Sequence, residues 1–313
     1  MELAPDFAFQ PLPPIPSEDE AQGLAAPAVT AAAPSPLGPL AGLLGSWSGP
    51  GFNVIWRPNS TPASDHFLEL NVTGDQIEFT AVPGAIPNRG LLQHDINMFG
   101  LTYLQQVKDS NLNAGLHVEP GLWVTIPATS NPKEGPTVAR LASIPHGTTI
   151  VAQGTATTTA GPPAIPGTGI KPFAIGQPAA TTDFPEQTLT AASPFRTAGA
   201  GLAGITQQMV NDPNTVLTAA IAGQHIVSTT TLQVATNDTP VPGGGTANTA
   251  FLQGTAQGGN AEAALAVATF WLETLQGETS PTQLQYSQTV FLRFAGLSWP
   301  HVTVGTLRKT AAS

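Results

Sequence analysis

Six histidines, His66, His94, His117, His146, His225 and His301, stand out chemically in this 313-residue chain, because it has no cysteine. Without thiols there is no disulfide, thiolate nucleophile, zinc–thiolate site, iron–sulfur centre or thioether-attached cofactor. The imidazoles are left as the main soft-metal ligands. A metal-bound imidazole is neutral, and its second nitrogen is held by a partner. His301 stands beside Trp299 in the apolar segment "LSWPHVTVGTLRK". A backbone carbonyl or a ligand would satisfy it there. His146, in "SIPHGTTI", opens a turn, where a solvated ring is the expected state and a metal ligand the other reading. His117 and Glu119 are two apart, on one strand face. We expect a surface pair, the other reading being a carboxylate–imidazole pair for proton transfer. His66, beside Asp65, and His94 and His225, in polar surroundings, read as surface residues.

Other chemistries find no pattern. There is no G-x-S-x-G nucleophile elbow, P-loop, H-x-x-x-H pair on a helix or dinucleotide fingerprint before a helix, and "PGGGTAN" reads as a turn. The ten Lys plus Arg residues are scattered and the net charge is −10. Nucleic acid is therefore an unsuitable partner, since phosphate binding needs clustered cations. The start, "MELAPDFAFQ", lacks the basic and apolar regions of a signal peptide, and no apolar run reaches the 18 residues or so of a membrane span. The expectation is a soluble, cytoplasmic protein. Nothing in the sequence speaks to its oligomeric state.

The elements that must position these residues are strands. Charged residues make up only 10% of the chain, which also has 32 glycines and 31 prolines. Yet 41% of it is hydrophobic, which fits an all-β fold with many turns rather than disorder. Residues 1–36 are rich in Pro and Ala, carry the acidic "SEDE" and read as a flexible tail, leaving 37–313 as the folded domain. From residue 38 the pattern has mostly period two. Leu68, Leu70 and Val72 share a face, as do Ile77, Phe79 and Ala81. In "LQYSQTVFLRF", Leu284, Tyr286, Val290, Leu292 and Phe294 line one side. About ten strands follow, enough for a single antiparallel barrel around an apolar interior. A helix is expected over "NDPNTVLTAAIAGQ", started by Asp212 and Pro213 and stopped by Gly223, and a shorter one over "GPLAGLL". Residues 155–202 have no clean period and read as an irregular insertion packed over the fold as a lid.

The first strand opens "PLAGLLGSWSGPGF", which sets Gly45, Trp47, Gly49 and Gly51 on one face. A Gly-X-Trp on the first strand with a basic residue on the last resembles the lipocalin and fatty-acid-binding barrels. The resemblance implies that Arg308 lies over the ring of Trp47 and closes one end. More narrowly, this opening together with Pro300-His301 and Leu307-Arg308-Lys309 resembles the nitrobindins, which are small haem-binding β-barrels. Segments such as "IPNRGLLQHDINMFGLTYLQQ" and "ASIPHGTT" are similar to larger bacterial proteins described as haem-binding. The resemblance implies ferric haem b with His301 as axial ligand, His146 being the alternative. Gly45, Trp47, Gly49 and Gly51 would form the signature strand. It also implies nitric oxide binding, peroxynitrite isomerisation or a weak peroxidase activity. The competing expectation is a non-catalytic barrel that carries another apolar small molecule, or one filled by its own side chains.

Overall fold

The computed structural model describes residues 35–144 and 146–310. The expected tail lies almost wholly outside these residues. Ten long strands form the barrel: β1 (Gly45–Thr61), β2 (Ser64–Ala81), β3 (Ile96–Asp109), β4 (Gly115–Ile126), β5 (Thr137–Ile144), β6 (Thr148–Ala160), β7 (Ile226–Ala235), β8 (Glu262–Leu275), β9 (Gln283–Phe294) and β10 (Leu297–Lys309). Each pairs antiparallel with its chain neighbours, and β10 returns to pair with β1 through Trp47↔Lys309, Gly51↔Gly305 and Ile55↔His301. Closure leaves no edge among the ten.

Register assigns the faces. Trp47, Ile77, Leu284 and Leu307 point inward at the end where β1 starts, and a 3₁₀ turn (Gly38–Leu43) packs Leu40 and Leu43 against them. The Trp47 indole nitrogen donates to the Leu43 carbonyl at 2.6 Å, which fixes this apolar plug. The opposite end is the mouth, bounded by the connections β1–β2, β3–β4, β5–β6, β7–β8 and β9–β10.

A second core lies outside the wall. Phe52, Val54 and Trp56 of β1, Leu68 and Leu70 of β2, and Val302 and Val304 of β10 face away from the interior. The long connection between β6 and β7 covers them with Ile170, Val210 and Leu217, the last two from helices α1 (Gln207–Asn211) and α2 (Asn214–Ile221). Helix α2 lies within the expected segment. The Asp212 side chain accepts from the Asn214 amide at 3.0 Å, and Gly223 follows in the left-handed region.

The expected insertion boundaries need correction. Residues 155–160 belong to β6, and the irregular run begins at Gly161. It is a brace on the outer wall, not a lid. Buried Arg196 organises it by donating to the carbonyls of Glu186, Thr188, Leu189 and Ala191, at 2.7–3.2 Å. One guanidinium thus satisfies a chain that has little ladder of its own. The brace joins the barrel through Leu68, whose amide donates to the Phe195 carbonyl at 2.9 Å and whose carbonyl accepts from the Thr197 amide at 3.0 Å.

Candidate functional site

The interior toward the mouth is polar, against the expectation of an apolar cup. Arg140 on β5 is buried and paired with Glu119 on β4, which is fully buried. Tyr103 on β3 accepts from Arg140 Nε at 2.8 Å and donates its hydroxyl proton to Glu119. Arg140 also donates to Gln288 on β9 at 2.5 Å, so the guanidinium spans the interior. A second tyrosine repeats the arrangement. Tyr286 accepts from Gln105 at 3.0 Å and donates to the carboxylate of Asp75 on β2.

Inward glycines make room for both rings. Tyr103 faces Gly121 across the β3–β4 ladder, and Tyr286 faces Gly305 across β9–β10. A methyl group on either glycine would lie 2.4 or 2.6 Å from the opposing ring. Gly51 is similarly crowded by Thr73 and the Val304 carbonyl, and Gly49 by the Thr306 carbonyl. Here the bareness of the first strand accommodates the strands beside it and the side chains inside the barrel. Gly45 does something else: it begins the strand with φ +100°.

Charge follows from this packing. Burial raises the Asp75 carboxyl to about 6, the Tyr286 and Thr73 hydrogen bonds only partly opposing it. For Glu119, burial also acts upward, but the Arg140 charge with the His117 and Tyr103 hydrogen bonds outweighs it and holds the group at about 2.

Above the polar layer are the imidazoles. His117 Nε2 is 3.2 Å from Glu119 Oε2, and His117 Nδ1 is 3.3 Å from Nε2 of His146. His117 was expected at the surface with its carboxylate; it is instead half-buried over a carboxylate with no exposure. His146 is exposed on the β5–β6 turn, as expected, but is tied to His117 rather than simply solvated. The Gly147 carbonyl beside it accepts from the Thr249 amide at 2.8 Å, anchoring that turn. A cavity of about 700 Å³ beside them is lined by His117 and His146 together with Ser48, Gln76, Gln106 and Lys108, which alternation turns to the outer side of the wall.

His301 points inward between Val290 and Ile55. It is partly accessible and does not line the 700 Å³ cavity. Burial, then the charges of His117 and His146, push it down to about 3, so the ring is neutral. No group of three or more His, Asp or Glu side chains is arranged to hold a metal ion among the described residues.

Two further expectations change. The cation over Trp47 is Lys309, with Nζ 5.2 Å from the ring centre; Arg308 is not there. Lys309 is the direct cross-strand partner of Trp47, whereas Arg308 pairs with Ser48 and alternation turns it to the other side. His66 is not a surface residue: it packs against Trp56, Phe184 and Trp299 under the brace. His94 and His225 are exposed.

Asp75, Tyr103 and Arg140 were not singled out from sequence, and Tyr286 was read only as part of an apolar face. Arg140 carried a signal: it is one charge on the inward face, between Val138 and Ala142.

No family model matches the chain, and no curated protein matches it. Among solved structures it is similar to the crystal structure of Rv2717c from M. tuberculosis, with 15% identity, 88% of this chain and 98% of that chain covered, and a TM-score of 0.42. No helix among the described residues is long and apolar enough to cross a membrane.

Proposed function

We propose that the barrel binds a small molecule at its histidine-lined mouth, and that this molecule is haem. The observation that supports the reading is His301: an inward, neutral imidazole to which no protein hydrogen bond is made among the described residues. A free imidazole lone pair is what a haem iron takes from a protein. Bound haem would supply an iron able to take nitric oxide or to isomerise peroxynitrite. His301 would hold the iron from one side. His117 and His146 would present nitrogen atoms to the same end of the interior. Arg140, Tyr103 and Tyr286 fill the middle of the barrel and would confine the ligand to the mouth. That polar middle gives the apolar-carrier reading no support.

The test is a pyridine-haemochrome assay on untagged protein from cells fed a haem precursor. The expected result is about one haem per chain. Colourless protein from cells that load a control haem protein would reject the assignment.

A further inference from the structure

The two mouth histidines form an arrangement that needs neither haem nor His301. Glu119 Oε1 accepts from Tyr103 and Arg140, and its Oε2 lies 3.2 Å from His117 Nε2, so that nitrogen donates to the carboxylate. In the neutral ring, Nδ1 is therefore a lone pair, and it faces His146 Nε2. That N···N separation is 3.3 Å. It matches two nitrogens bound about 2.0–2.1 Å from one tetrahedral ion, which stand about 3.3–3.4 Å apart. The carboxylate behind His117 completes the carboxylate–histidine–metal pattern that fixes tautomer and ring orientation.

We propose that His117 and His146 form a two-imidazole site for a divalent transition-metal ion of the zinc class, with Glu119 as the positioning residue. The ion replaces the proton shared between the rings, and water completes its shell. Imidazole nitrogens select zinc, copper, nickel and cobalt over magnesium or calcium. His146 stands on an exposed turn, which opens the site to solvent.

Untagged, haem-free, full-length protein titrated with Co²⁺ and followed by visible absorbance tests this. The expected result is one Co²⁺ per chain, displaced by Zn²⁺ and not by Mg²⁺. His117→Ala and His146→Ala should each raise the dissociation constant at least about tenfold, and Glu119→Gln about tenfold through orientation alone. Because Glu119→Gln also disturbs Arg140, His146→Ala on its exposed turn is the variant that keeps the test independent of folding. His301→Ala should bind as wild type, which separates this site from the haem reading. No binding by folded wild-type protein, or binding that survives both His117→Ala and His146→Ala, would overturn the proposal.

Discussion

The two faces of the barrel wall around β1, β2 and β10 have exchanged the usual roles. Toward the mouth, the outer face is apolar and aromatic, with Phe52, Val54, Trp56, Leu68, Leu70, Val302 and Val304 under the brace. The inner face at the same level holds Asn53, Asn71, Thr73 and Asp75. Toward the plug the order reverses, and Trp47, Ile77, Phe79 and Leu307 face inward. In each of these strands the hydrophobic positions move from even to odd residue numbers, or back, near Gly51, Thr73 and Gly305. A barrel keeps a polar, ionisable interior where burial on its other face stabilises the wall. Here the wall is stabilised from outside, by burial that the brace provides, so the inside need not be greasy.

If this is right, the two regions respond differently to truncation. The largest effect should come from Arg140→Ala, which leaves Glu119 buried without its cation and costs about 3–5 kcal/mol in urea unfolding. Replacing both by apolar residues of similar volume should recover most of that loss, since the pair is a charge arrangement and not a packing one. On the outer side Trp299→Ala should cost about 3 kcal/mol. It removes the ring stacked on Phe294 at 4.7 Å and on Phe184 and His66, and no double replacement of polar groups should rescue it.

A smaller effect is expected from Asp75→Asn, and pH reveals it. The folded carboxyl binds its proton more tightly than the ordinary value of 3.8, up to about 6. Its contribution is therefore fully present below pH 3.8 and lost as pH rises through 6. Glu119 runs the other way: its contribution is present above 4.5 and lost as pH falls toward 2. In denaturant titrations at pH 4 and pH 7, Asp75→Asn should remove a loss of about 2 kcal/mol across that interval. An unchanged pH profile would mean that the folded Asp75 carboxyl does not hold its proton into that range. The smallest effect is at the plug. Lys309→Ala should cost about 0.5–1 kcal/mol in thermal or urea melts, from the cation over Trp47, while Arg308→Ala should cost less.

Much of the fold was legible because period-two alternation survives wherever one face is buried. Leu284, Tyr286, Val290 and Leu292 of the face read from sequence turn inward, whereas Phe294, read on the same face, packs with Trp299 in the outer core. The brace was legible only as an absence of pattern, because its order depends on Arg196 bonding to carbonyls, which leaves no periodic trace. The apolar face of Leu68, Leu70 and Val72 was visible, but only the register shows that it points outward. The histidines were visible as residue types. That His117, Glu119 and His146 meet depends on the pairing of β3, β4 and β5, which joins residues far apart in sequence, and the proximity of Glu119 to Arg140 depends on the same register. His66 was misplaced for the same reason: its burial comes from Phe184, 118 residues away, and Trp299.

The central claim is that the mouth imidazoles form the binding site. Stoichiometric haemin titration of wild-type and His301→Ala protein, followed near 400 nm, the wavelength expected of bound haem, addresses it most directly. The account predicts a sharp band that saturates at one equivalent in the wild type and is lost in His301→Ala while the fold is retained. No band in the wild type, or a band indifferent to His301, would contradict it.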